Sequence, residues 1–251
     1  MNIYIIISTL FFPVIICGII VLLVNVNNKT LRLLLAFSGA YLLTISFTHL
    51  IPEIFGQGHI HSHSHGDSNI EGIEVSWFIL AGFFIQIIIE FFTKGVEHGH
   101  DHHHDHDKIN LAIIPLMVGI CLHAFFEGMP FSEHFTNQHL QISLLIGVVI
   151  HKVPIAIVLM SLFLNSNFSK RKSFMLLILF ALAAPAGSIV SQWLGGLVHD
   201  IEQYFKYILA FIVGIFLHIS TTILFESTEN HRFKKHKLLI IMLGIAVALL
   251  N

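Results

Sequence analysis

The chain has 251 residues, of which 55% are hydrophobic and only 11% charged, and its mean hydropathy is +0.81. No soluble domain of this length carries such a surface, so most of the chain is solvated by lipid. The formal charge of −2 gives no footing for nucleic acid or for strongly charged partners.

Apolar stretches of about 20 residues match the length a helix needs to cross a hydrocarbon core. Backbone polar groups find no partners in lipid, so each crossing is expected to be a helix; the alternation of barrel strands is absent. Hydropathy predicts eight crossings, over 3–24, 31–55, 73–93, 109–131, 140–164, 174–198, 204–226 and 238–250. Together they form one all-α transmembrane domain over 1–251. The first run has no basic residue before it, and it closes on Val21-Leu22-Leu23-Val24 without a small-residue cleavage pattern. It reads as a retained helix, not a signal peptide.

The second crossing ends on Thr48-His49-Leu50-Ile51-Pro52-Glu53. His49 and Glu53 stand four apart at its boundary and read as an entrance, although boundary residues also snorkel for ordinary reasons. A connection over about 56–72 follows, crowded with His59, His61, His63 and His65. Gln86 and Glu90 in the third crossing continue onto Lys94 along one face, which favours an internal ion pair. The next connection, about 94–108, holds His98, His100, His102, His103, His104 and His106 among aspartates. Such tracts offer many imidazole and carboxylate ligands without fixed geometry, suited to loose capture of zinc and similar metals. A solvated polar linker is the plainer alternative.

In the fourth crossing, His123-Ala124-Phe125-Phe126-Glu127-Gly128 sets an imidazole and a carboxylate one turn apart on the same face. The fifth adds His151-Lys152-Val153-Pro154, where Pro154 cannot donate to the carbonyl of Ile150 and loosens the helix. His123 and His151 each lie within about one turn of their span's midpoint, so antiparallel neighbours bring them to one depth. Ionisable groups are costly there and usually mark an ion or proton path. Two imidazoles and a carboxylate suit zinc and leave a coordination position open; interhelical hydrogen bonds are the alternative for each. His218, alone in the seventh crossing, reads as a hydrogen-bonded core histidine. Cys17 and Cys121 sit in apolar segments as small buried side chains.

The basic residues Lys29, Arg32, Lys94, Lys108, Lys170, Arg171, Lys172, Arg232, Lys234, Lys235 and Lys237 fall in alternate connections, and the opposite ones hold only Lys206. Positive-inside then predicts both termini outside, with the His59–His65 tract outside and the His98–His106 tract cytosolic. Gly39-Ala40-Tyr41-Leu42 is echoed by Gly214-Ile215-Phe216-Leu217, as expected if the first three and last three helices are an inverted pair around a central two.

The stretch His123 to Gly128 resembles the signature of the ZIP (Zrt/Irt-like) metal transporters, and the whole chain is similar to that family in its eight helices and its histidine-rich loop after the third. The resemblance implies metal transport toward the cytosol, with His123, Glu127 and His151 as ligands between helices four and five. Many family members hold a second metal beside the first; the corresponding positions here are Ala124, Lys152, Ile155 and Ala184. A branch of the family likewise has His-Lys in the fifth helix. An ammonium at Lys152 could supply the charge of the missing ion, which predicts a single-metal site.

The expected partners are thus a divalent cation, as substrate with no resident cofactor, and the lipid bilayer, with a homodimer admissible. A plasma or bacterial inner membrane is the simplest location. Transport would proceed by alternating exposure, with release toward the cytosolic histidine loop. Mixed imidazole and carboxylate ligation fits zinc first but also admits iron, manganese, cobalt, nickel, copper or cadmium. The rivals are an efflux carrier of another fold, a metal sensor, and an intramembrane zinc hydrolase with Glu127 as base. No His-Glu-x-x-His and no Gly-x-Ser-x-Gly occurs to support the last.

Overall fold

A computed structural model of the chain describes residues 1–24, 27–56, 67–93, 106–133, 135, 137–166, 168–197, 201–226 and 235–250. The described residues are helical apart from short connections. The helices are α1 (Ile3–Leu23), α2 (Asn28–Ile45, continuing through a π-helical turn, Ser46–Leu50, into Ile51–Gly56), α3 (Asp67–Thr93), α4 (His106–Gly128), α5 (Gln138–Asn165), α6 (Lys170–Leu197), α7 (Ile201–Glu226) and α8 (Lys235–Leu250). Among the described residues, six helices are long and apolar enough to cross a bilayer; the described apolar stretch of α4, Ile113–Gly128, is shorter.

The eight helices fall where hydropathy places them, with differences that have local causes. α3 begins at Asp67 and α4 at His106, so 67–72 and 106–108, expected as loop, are helical: hydropathy marks where a helix enters lipid, not where its first turn forms. α4 ends at Gly128 instead of 131, because Pro130 disfavours the helical conformation at Met129 and Phe131 N–H bonds back to the Gly128 carbonyl at 3.1 Å. The tracts with His59, His61, His63 and His65, and with His98, His100, His102, His103 and His104, lie outside the described residues, as does Lys94.

Much of the packing follows an inverted repeat. α1 lies against α5 and α6, α2 against α5, α7 and α8, α3 against α4 and α7, and α4 against α6. Exchanging α1 with α6, α2 with α7, α3 with α8 and α4 with α5 turns the α1–α5 contact into α6–α4 and the α2–α8 contact into α7–α3, while α1–α6 and α2–α7 map onto themselves. Helices five crossings apart run in opposite directions, so this is the pseudo-twofold that the Gly39 and Gly214 echo suggests.

Glycines make the equivalent seams. A methyl at Gly82 on α3 would collide with the Phe211 carbonyl of α7, and one at Gly244 on α8 would press on the Phe37 carbonyl of α2. Gly128 and Gly187 do the same for α4 and α6, against the Ala184 and Phe125 carbonyls. With lipid outside there is no hydrophobic drive between helices, so this backbone proximity supplies the dispersion that holds them. It also draws α6 onto the end of α4, beside Glu127.

Outward faces stay apolar: Phe84, Ile88 and Phe91 of α3 and Phe12 and Ile16 of α1 are all more than half exposed. Tyr4, Trp77 and Trp193, likewise exposed, sit at the start of α1, near the start of α3 and near the end of α6. In an up-and-down chain these are one boundary, where amphipathic rings settle at headgroup level. α5 is the most enclosed span; His151, Lys152, Pro154, Ile155 and Ala156 lie buried in its middle.

Gly82→Ala is expected to destabilise the detergent-solubilised protein by about 1–3 kcal/mol through overpacking. Gly196→Ala, where nothing lies within 4 Å of the added carbon, should leave the thermal midpoint nearly unchanged. Matched melting curves of the two variants check this.

Candidate metal centre

The centre is built from two neighbouring antiparallel helices and one residue of a third. The α4–α5 connection is short and tied down: Gln141 Nε2 donates to the Ser132 carbonyl at 2.8 Å, and Glu133 N–H donates to Gln192 Oε1 of α6 at 2.7 Å. That link fixes the depth of α4 relative to α5. Along α4, the 3.6-residue period puts His123 and Glu127 one above the other.

His123 Nε2 stands 3.2 Å from Glu127 Oε1, and His151 Nε2 stands 3.8 Å from the same oxygen. One ligand atom from each of the three residues lies within 4.8 Å of the others, and all three residues are buried. The imidazole rings meet nearly edge to face, their centroids 6.0 Å apart. Tetrahedral zinc at bond lengths near 2.05 Å separates its ligand atoms by about 3.3 Å. The two distances to Oε1 bracket that value; the imidazole nitrogens would close by a small side-chain movement. The donor set therefore fits a zinc-sized cation with a coordination position to spare.

The other carboxylate oxygen is turned away from the imidazoles. Glu127 Oε2 meets Lys152 Nζ at 3.1 Å, and the side chains of both residues are almost wholly buried. Lys152 Nζ also lies 5.0 Å from the centre of the Phe180 ring on α6, which gives the ammonium a negative face where a second carboxylate would otherwise be needed. Carboxylate and ammonium balance each other in a region that would heavily penalise either alone. Near this pair, Ala124, Ile155 and Ala184 are all buried within apolar clusters.

A third helix reaches the centre as well. Gln86 of α3, fully buried, places its Oε1 3.2 Å from His123 Nδ1. Lys94, the cation of the ion-paired face expected over Gln86, Glu90 and Lys94, lies outside the described residues. Glu90 pairs across the α3–α7 seam with His218, Oε2 to Nε2 at 2.6 Å, and the Phe83 ring packs edgewise with that histidine. His218 is thus a hydrogen-bonded, partly buried histidine. Cys17 and Cys121 are both free.

His49 and Glu53 lie apart from this cluster, in an open cleft of about 470 Å³ shared with Thr48, Pro52, Asn137 and His139. Pro52 has no N–H for the Thr48 carbonyl, and its ring crowds that carbonyl; Ile51 N–H accordingly bonds to the Ser46 carbonyl five residues back. The resulting π turn swings His49 toward the mouth of the cleft. There its Nδ1 lies 2.7 Å from Thr48 Oγ1, and Glu53 Oε2 accepts from Asn137 Nδ2 at 3.3 Å. Asn137 and His139 belong to the start of α5, and only the fold could bring them here.

A polytopic helical bundle with a buried histidine and carboxylate cluster of this geometry defines a class, that of membrane proteins handling a metal cation. The chain belongs to the ZIP zinc transporter family, whose model matches residues 1–113 and 93–251. It is similar to "Zinc transporter ZIP9-A" of Xenopus laevis, 24% identical over 241 residues that cover 81% of this chain and 77% of that protein. It is also similar to "Zinc transporter ZIP9" of Xenopus tropicalis, 23% identical with the same coverage. The family is one of zinc transporters and not of enzymes.

Lys152→Met leaves the Glu127 carboxylate buried without its ammonium, and should cost about 3–5 kcal/mol of stability in metal-free detergent. Glu127→Gln with Lys152→Met should recover most of that loss, as read by thermal unfolding. Added zinc should raise the midpoint of Lys152→Met more than that of the parent, since it alone would then supply the positive charge.

Proposed function

We propose that the protein carries zinc across its membrane into the cytosol through a single-ion site formed by His123, Glu127 and His151. The observation that carries this reading is that three ligand types suited to zinc lie within 4.8 Å of one another at full burial, between the two spans that the family resemblance nominates. The neutral imidazoles supply nitrogen lone pairs, and Glu127 Oε1 supplies the charge that offsets part of the cost of dehydrating the ion. A three-ligand site captures without caging, as a carrier needs when it must release.

In this reading Lys152 stands in for a second metal. Its ammonium holds Glu127 Oε2 at 3.1 Å, so Oε1 alone is left for the cargo, and an adjacent second cation would meet both a positive charge and the alkyl side chains of Ala124 and Ile155. His49 and Glu53 line the cleft that serves as the outer entrance, and the tract from His98 to His106 receives the ion on the cytosolic side. The charge distribution of the connections supports that orientation, with both termini outside in a plasma or bacterial inner membrane. Passage is by alternating exposure, the repeats rocking about the α4–α5 pair.

Zinc uptake into metal-depleted cells or proteoliposomes should fall by at least about 10-fold in His123→Ala, Glu127→Ala and His151→Ala, given the loss of a direct ligand. Uptake unchanged by either histidine substitution would overturn the site. With the loop histidines replaced, the purified protein should bind one zinc ion within the bundle; two would overturn the role given to Lys152.

A further inference from the structure

We infer that Gln86 is a positioning residue for the transported cation: its amide sets the orientation and tautomer of His123, and its neutrality sets how readily the ion leaves. The inference rests on the single-ion site proposed above. Gln86 lies in the α3 stretch Phe83-Phe84-Ile85-Gln86-Ile87-Ile88-Ile89, where a primary amide is costly unless its polar atoms are engaged. It is fully buried, and its Oε1 stands 3.2 Å from His123 Nδ1.

His123 has two ring nitrogens, and only one faces Glu127. When Nδ1–H donates to Gln86 Oε1, Nε2 keeps its lone pair and presents it to the point shared with Glu127 and His151, as a ligand requires. An amide has a second option. After the ion has gone, rotation of the amide lets its NH₂ donate to Nδ1, so the ring proton moves to Nε2, which faces Glu127 Oε1 3.2 Å away. Gln86 can thus partner Nδ1 in both states. A carboxylate in place of Gln86 would accept from Nδ1–H only, and would add a negative charge to a centre in which Glu127 and Lys152 already balance. It would hold a doubly charged ion more tightly and release it more slowly.

The two substitutions therefore push in opposite directions. In reconstituted full-length protein, Gln86→Met, which keeps the length and removes the acceptor, should raise the KM for zinc uptake about 10- to 100-fold. Gln86→Glu should lower both KM and the maximal rate. A residue that merely packed α3 against α4 would shift KM in the same direction for both, or in neither. An unchanged KM in Gln86→Met, or shifts of the same sign in the two variants, would overturn the inference. Should Gln86→Met fail to fold, Gln86→Glu decides alone, since a KM that does not fall overturns it. His123→Ala measured alongside separates the two readings: if it transports normally, the metal site itself is misplaced.

Discussion

A carboxylate in the middle of a bilayer has to be answered on every side, and the centre of this protein is organised around answering Glu127. One oxygen is matched by the Lys152 ammonium; the other faces two imidazoles. The two halves of one functional group thereby do different work. Oε2 is charge-balanced by Lys152, and in the proposed function Oε1 is the oxygen left for the cation. Neither would be tenable without the other, since an unpaired charge at full burial costs more than most single contacts supply.

The scaffold serves that arrangement by repetition. Gly82 and Gly244 lie at corresponding seams of the two outer repeats, and Gly128 with Gly187 binds the central α4 to α6. Backbones in direct contact leave little freedom for a helix to slide, so motion is expected between bodies and not within seams. One turn apart on α3, Gln86 reaches His123 of α4 and Glu90 reaches His218 of α7. α3 is thus joined by polar contacts to both neighbours.

Much of this was readable in the residues. Helix number and approximate limits followed from the length of apolar runs, because the bilayer allows few other solutions. The convergence of His123 and His151 followed from their equal depth on adjacent antiparallel spans. What could not be read were partners chosen across helices. Gln86 and Glu90 share a face by their four-residue spacing, yet one bonds to His123 and the other to His218, a choice set by rotation of α3 between α4 and α7. The cleft around His49 likewise needed the π turn caused by Pro52 and the start of α5, which no linear spacing links to it. Early helix starts at Asp67 and His106 escaped notice because polar first turns carry no hydropathy.

The pairing of Lys152 with Glu127 bears on how membrane voltage acts. With both imidazoles neutral, the metal-free centre sums to zero, so an electric field across the bilayer exerts no net pull on it. A divalent ion brings two elementary charges, each worth about 2.3 kcal/mol per 100 mV if it traverses the whole field. If the cycle runs as proposed, an electrically negative interior would favour its loaded, inward half while leaving the empty return untouched, a rectifying bias that rests on one buried ammonium.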